Sequence, residues 1–211
     1  LQWRDVLPRL TWPDSHASFA FILTSSLAFQ AFSGFGLYAS LSPLFLDKLV
    51  PWHGPVVSGT AIAAILFGSA FTQILSGRLP THWSGALGLL ALGASNVLLM
   101  VNLWAGLASL FALGVALIAI GHGMTQLAGM SMVNRIATPE TRSGLFSSYL
   151  VIGYIGSMVP MLGIGWIADH WGMTVALYTF GVLSLLIALT VAVLFQRHPL
   201  TQPLQEMRQE P

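Results

Sequence analysis

The chain has 211 residues, of which 55% are apolar and 7% are charged, and its formal net charge is +1. Such a chain has too little polar surface to coat a soluble globule, so the composition predicts an integral membrane protein. It contains no cysteine, which excludes disulfides, thiolate metal sites and cysteine nucleophiles.

Six long apolar runs, almost free of charge, predict six membrane-spanning helices. Lipid satisfies no backbone N–H or C=O group, so only helices or a closed barrel can cross it. The runs lack the apolar–polar alternation of a barrel strand. Breakers and flanking charges place the helices, in chain order, at about 17–46, 55–76, 84–101, 105–134, 143–168 and 173–195. A short outer turn around Asn102 is expected between the third and fourth.

The basic residues predict the orientation of these helices. Seven of the eight Lys and Arg residues fall in alternate gaps between the apolar runs, and Lys48 alone falls on the other side. Basic residues favour cytoplasmic loops, so both termini are expected in the cytoplasm. The seven are Arg4, Arg9, Arg78, Arg135, Arg142, Arg197 and Arg208. Residues 1–16 are then a cytoplasmic lead-in, and residues 196–211 a loose cytoplasmic tail.

The fifth run carries a recognisable pattern. The segment Pro139-Glu140-x-Arg142-x-Gly144 opens it, glycines and a proline follow within the helix, and Asp169-x-x-Gly172 closes it. This pattern resembles the closing third of a major facilitator superfamily transporter, and the remaining runs fit the C-terminal six-helix half of that family. The family often carries Gly-x-x-x-Asp-Arg-x-Gly-Arg after the second helix of a half, whereas here only Gly77 and Arg78 remain.

The resemblance implies an all-α, polytopic fold in which residues 17–195 form one half of a transporter bundle. The expected partners are the N-terminal half of the same transporter, a small-molecule solute, membrane lipid and protons, with no nucleic acid. The chain begins with Leu1 and reads as a piece of something longer. The expected location is the bacterial cytoplasmic (inner) membrane, and the expected action is gradient-driven transport by alternating access.

Four polar residues near mid-span are candidates for the substrate cavity, because a polar side chain in lipid is costly unless it meets a partner or water. They are Gln30, His122, Gln126 and Tyr154. His122 and Gln126 are four residues apart, so they share a helix face. The resemblance places all four on cavity-lining helices, namely the first, fourth and fifth. The alternative is that they hydrogen-bond to neighbouring helices and hold the bundle together.

Small residues in the fifth helix have two possible roles. Gly153, Gly156, Pro160 and Gly163 suit a hinge for the rocking of one half against the other, or ordinary close packing between helices. The loop residues Pro139, Arg142, Gly77 and Arg78 suit a gating motif. For Gly77 and Arg78, a helix end with a topology-setting charge is the favoured interpretation.

Two other classes of function are compatible with the sequence. A stand-alone six-helix assembly or interaction protein is one. A rhomboid-like intramembrane protease is the other, built on Ser147 with His122 or His170, but that pair needs hydrogen-bond contact. No Gly-x-x-x-x-Gly-Lys-Ser/Thr segment is present, so ATP hydrolysis by that route is excluded. No catalytic residue, metal or cofactor is expected. No Asp or Glu lies inside a span, and the imidazole of His122 is the mid-span group suited to a proton relay.

Overall fold

The computed structural model describes residues 10–49 and 54–202. Within them the chain forms six long α-helices and one short 3₁₀ helix, with no strand. The helices are α1 (Ser15–Leu49), α2 (Pro55–Ser76), α3 (Thr81–Ala105), α4 (Ala108–Ile136), α5 (Arg142–Trp171) and α6 (Met173–Arg197), followed by the 3₁₀ helix Pro199–Thr201. All six are long and apolar enough to cross a membrane. The all-α, six-span prediction is therefore confirmed.

The turn between α3 and α4 differs from the predicted one. Asn102 lies inside α3, and the helix ends at Gly106, whose φ of 59° is a left-handed conformation that suits glycine. The Asn102 side-chain oxygen instead accepts a hydrogen bond of 2.8 Å from the backbone N–H of Leu107. Asparagine favours turns because its side chain bonds nearby backbone, and here it does so from within the last helical turn.

The segment predicted as a loose tail is ordered as far as the description extends. Thr201 is buried, and its hydroxyl donates to the carbonyl of Phe195 at 2.7 Å. Arg135 of α4 donates to the carbonyls of Leu200 and Gln202. These bonds fold residues 198–202 back against the bundle. Arg4, Arg9 and Arg208 lie outside the described residues, as does the side chain of Lys48.

The six helices are buried to very different degrees. Helix α1 is central and contacts each of the other five, and 67% of its apolar stretch is buried. Helices α3 and α6 pack against each other. Only 17% of the apolar stretch of α2, and the same share of α5, is buried inside the bundle. Within the described residues, most positions of these two apolar stretches are therefore at least partly exposed.

Small residues lie where helices cross at short distance, as expected where no hydrophobic force drives helices together. At the crossing of α1 and α5, a Cβ at Gly156 would stand 2.5 Å from the carbonyl oxygen of Phe29. At the crossing of α2 and α4, a Cβ at Gly68 would stand 2.9 Å from the Cβ of Ala119. The backbones at these points approach closely enough to fix the positions of the helices that carry the candidate site.

Candidate functional site

His122 forms a buried hydrogen bond between α2 and α4. Its Nδ1 lies 2.8 Å from the Ser69 hydroxyl, and the exposed fractions of the two residues are 8% and 2%. The pair sits at a close contact between α2 and α4, since Gly123 lies against the Ser69 carbonyl. The polar ring is thus satisfied by a partner on the neighbouring helix, as a buried polar group must be.

A series of ring contacts connects His122 to α1 and α5. The rings of Phe32 and Phe35, both on α1, each lie with centroids 5.8 Å from the His122 ring. Phe32 also contacts Tyr154 of α5 edge-on at 5.3 Å. Tyr154 is 56% exposed. Together with Ser69 these residues form one cluster, the His122 cluster, to which α1, α2, α4 and α5 all contribute.

Gln126 lies one turn along α4 from His122 and has its own partner. Its side-chain oxygen accepts a 2.8 Å hydrogen bond from the hydroxyl of Tyr149 on α5. Both residues are buried. The predicted shared face of His122 and Gln126 holds, but the two side chains bond to different helices, α2 and α5. This stretch of α4 therefore joins the two least-covered helices of the bundle.

Gln30 is directed away from the His122 cluster. Its amide donates to the Ser184 carbonyl at 3.1 Å and accepts from the Ser184 hydroxyl at 2.9 Å. Asn96 of α3 donates to the same hydroxyl at 2.9 Å. All three side chains are buried, and they connect α1 to α3 and α6. Of the two interpretations open for Gln30, this geometry favours helix packing over the cavity.

The four candidate hinge residues of α5 divide into two groups. Gly153 and Gly156 are packed against Phe32 and Phe29 of α1, and the Gly156 carbonyl accepts a 2.6 Å bond from the Ser33 hydroxyl. A Cβ at Gly163 would meet no described atom within 4 Å. Pro160 and Gly163 line an apolar groove of about 260 Å³ between α1, α5 and α6. Gly153 and Gly156 therefore lie at a close contact with α1, whereas Pro160 and Gly163 border the groove.

The loop residues lie at helix ends. Gly77 is the C-cap of α2, and Arg78 beside it is exposed. Pro139 lies in the turn that precedes Arg142, the first residue of α5. The side chain of neither arginine makes a hydrogen bond or ion pair to another described residue. These placements agree with exposed, topology-setting charges.

Glu140 lies in the turn between α4 and α5. Hydrogen bonds from the Glu140 backbone and from the Thr138 hydroxyl lower the pKa of its carboxyl group. This carboxylate is therefore held in its charged form beside the start of α5.

The serine named for a protease does not meet a histidine. The Ser147 hydroxyl donates to the carbonyl of Ser143 within α5, and His170 contacts Trp166 near the other end of that helix. The serine that does contact a histidine is Ser69, which is buried at a helix crossing. Within the described residues, His122 has no further hydrogen-bond partner to orient it as a base, and no group of acidic or His side chains could hold a metal.

Sequence reasoning missed three members of the His122 cluster, namely Ser69, Phe32 and Phe35. Serine and phenylalanine are ordinary in membrane helices, so neither residue type stands out from one sequence. The available signal was the need of His122 for a partner, which restricts the search to polar side chains at the same depth. Ser69 satisfies that condition from the adjacent α2.

Comparisons with known proteins give one result. The family model described as Major Facilitator Superfamily matches residues 17–210, which is nearly the whole chain. A search of curated proteins finds no match. The matched range covers α2 to α6, all of α1 except its first two residues, and the ordered segment that follows α6.

Proposed function

The chain belongs to the Major Facilitator Superfamily, a family of membrane transporters, and we propose that it forms the C-terminal half of a secondary active transporter. The half moves a small solute by alternating access together with an N-terminal half. It lies in the bacterial inner membrane, and the end that carries Arg78, Arg135, Arg142 and Arg197 faces the cytoplasm.

The observation that carries this proposal is the uneven burial of the helices. Helices α2 and α5 are covered over only 17% of their apolar stretches, whereas α3 and α6 are covered over 50% and 39%. If the bundle were complete, its peripheral helices would be covered to similar degrees. A second half seated against α2 and α5 accounts for the difference, and it places the His122 cluster between the halves.

The solute cavity is then lined by the His122 cluster and by Gln126. Of these residues, Tyr154 is the most exposed polar one. His122 is buried, and the Phe32 ring contacts both of them. Within the described parts of the six helices, the acidic residues are Asp47 and Asp169, and each lies in the last turn of its helix. His122 is therefore the side chain of this half best suited to exchange a proton during transport.

We assign any bending of α5 to the part of this helix that follows Pro160. Gly153 and Gly156 hold the first half of α5 against α1, so this region moves with α1 as one unit. Beyond Pro160, which lacks the backbone N–H of a regular helix, the helix has open space at Gly163. We assign any hinge to this segment.

The test is transport by the full-length protein in membrane vesicles under an imposed proton gradient, with a panel of radiolabelled organic solutes. For a solute that is taken up, His122→Ala should change the rate per folded molecule or its pH dependence, beyond the loss of thermal stability expected when the buried Ser69 hydroxyl loses its partner. Asn96→Ala is the control, because Asn96 is a buried polar residue bonded on the opposite side of α1. It should lower thermal stability without changing the pH profile.

Two results would contradict the proposal. Loss of folded His122→Ala protein, with an unchanged pH profile in what remains, would make His122 a packing residue. Uptake by vesicles that contain residues 1–211 alone would refute the need for a second half, unless crosslinking shows two copies of this chain in contact.

A further inference from the structure

We propose a second binding site on this chain, for the phosphate-bearing headgroup of an anionic phospholipid. It is a pocket of about 510 Å³ between the start of α1, the end of α4 and the 3₁₀ helix that follows α6. The side chains of His16, Arg135 and His198 line it, one from each of these three segments. This inference does not depend on the proposed transport function.

Arg135 supplies the charge of the pocket. One terminal nitrogen of its guanidinium donates to the Leu200 carbonyl at 2.6 Å and to the Gln202 carbonyl at 2.9 Å. A guanidinium has five N–H donors, and the other two nitrogens of Arg135 donate to no described residue. The two backbone bonds hold the group in place, and the remaining donors suit the paired oxygens of a phosphate.

His198 is positioned as a neutral donor. Its Nδ1 accepts a 3.2 Å hydrogen bond from the backbone N–H of Leu200, so in the neutral ring the proton lies on Nε2. Partial burial lowers the pKa of His198, which keeps the ring neutral at pH 7. His16 is exposed, and its side chain makes no hydrogen bond to a described residue. Among the described residues no acidic side chain lines the pocket, although Asp14 lies two residues before His16.

The depth of the pocket favours a lipid over a free anion. It lies where three spanning helices begin or end, at Ser15, Ile136 and Arg197, and helix ends of this kind lie at the headgroup level of a bilayer. Phe19, one turn into α1, is half exposed, and its ring centroid lies 5.7 Å from that of His198. A phospholipid would place its phosphate at Arg135 and its acyl chains against Phe19. Basic pockets between helices on the cytoplasmic side bind headgroups in this way.

The experiment is native mass spectrometry of the full-length protein released from nanodiscs that contain phosphatidylglycerol and phosphatidylcholine in equal amounts. We expect one retained phosphatidylglycerol, and an affinity about tenfold lower in Arg135→Gln, which corresponds to about 1.4 kcal/mol. Arg78→Gln is the matched control, because Arg78 is an exposed arginine at the same end of the bundle but outside the pocket. It should retain the lipid as the parent protein does.

Arg135→Gln also removes the bonds that hold residues 200–202, so a second variant separates binding from local folding. His16→Gln breaks no hydrogen bond between described residues and should lower retention about threefold at unchanged thermal stability. Equal loss in Arg78→Gln would reduce the effect to general surface charge and overturn the proposal. Displacement of the lipid by glycerol phosphate at the same concentration would assign the pocket to a free phosphate and overturn the lipid. Unchanged retention in both pocket variants would also overturn it.

Discussion

The crossing of α1 and α5 gives the sharpest prediction about stability. A Cβ at Gly156 would stand 2.5 Å from the carbonyl oxygen of Phe29 and 2.7 Å from its Cα. Both are backbone atoms, which no change of rotamer can move. Because ordinary contact begins near 3.4 Å, the two helices must separate by about 0.9 Å in Gly156→Ala. That separation also stretches the 2.6 Å bond from Ser33 to the Gly156 carbonyl.

The expected cost of Gly156→Ala is about 2 kcal/mol. Overpacking of a tight interior costs ~1–3 kcal/mol, and a weakened interhelical hydrogen bond in a membrane adds about 0.6 kcal/mol. The higher helix propensity of alanine returns less than ~1 kcal/mol. Gly163→Ala in the same helix is the control, because its Cβ meets no described atom within 4 Å.

The assay is the free energy of unfolding in mixed micelles, titrated with sodium dodecyl sulfate, for the parent protein and both variants. We expect Gly156→Ala to be destabilised and Gly163→Ala to match or exceed the parent. Equal stability of the two variants would show that α1 and α5 are not in close contact at Gly156. The assignment of this region as a rigid unit would then fail as well.

Three further outcomes are expected. In intact cells, Leu79→Cys should be protected from a membrane-impermeant thiol reagent while Leu107→Cys reacts, and the reverse labelling would invert the topology. Gln30→Leu should lower the unfolding free energy by ~1–3 kcal/mol, because the Ser184 hydroxyl loses the buried acceptor of its proton, and an unchanged value would remove Gln30 from the packing network. For His198, whose pKa burial lowers, the unfolded chain takes up the proton first as pH falls below the ordinary value of about 6.5. Thermal stability should therefore decrease from pH 7 towards pH 5, and less so in His198→Gln.

Much of the fold could be predicted from the sequence because lipid allows few solutions. The long apolar runs demand helices, so their number and order follow from composition alone. The turn at Gly106 was misplaced because asparagine is a turn former, and only the structure shows that Asn102 lies inside α3 and bonds from there to the backbone of Leu107. The ordered segment after α6 was missed for a similar reason. Its stability depends on Arg135, which is more than sixty residues away in the chain.

The sequence indicates which residues are candidates for the site, but not which neighbouring helix each side chain contacts. A polar residue at mid-span signals a partner or a cavity, and the sequence indicates its depth. It does not indicate which neighbouring helix the side chain meets. Gln30 and His122 were both candidates for the cavity, and both are bonded to a neighbouring helix. They differ in the helix that they meet, because Gln30 bonds to Ser184 of α6 and His122 bonds to Ser69 of the sparsely buried α2. Helix rotation within a bundle is set by packing against neighbours, which one sequence with nearly uniform apolar faces does not reveal.

The central claim is that the surface left open by α2 and α5 meets a water-filled cavity shared with a second half, whereas the surface of α6 meets lipid. Tyr154 on α5 and Leu186 on α6 test it directly, because they are 56% and 57% exposed and both lie near the middle of their helices. In the full-length protein in native membranes, Tyr154→Cys should react with a hydrophilic thiol reagent and Leu186→Cys should not. Reaction at Leu186→Cys, or no reaction at Tyr154→Cys with reagent supplied to either side of the membrane, would contradict the account.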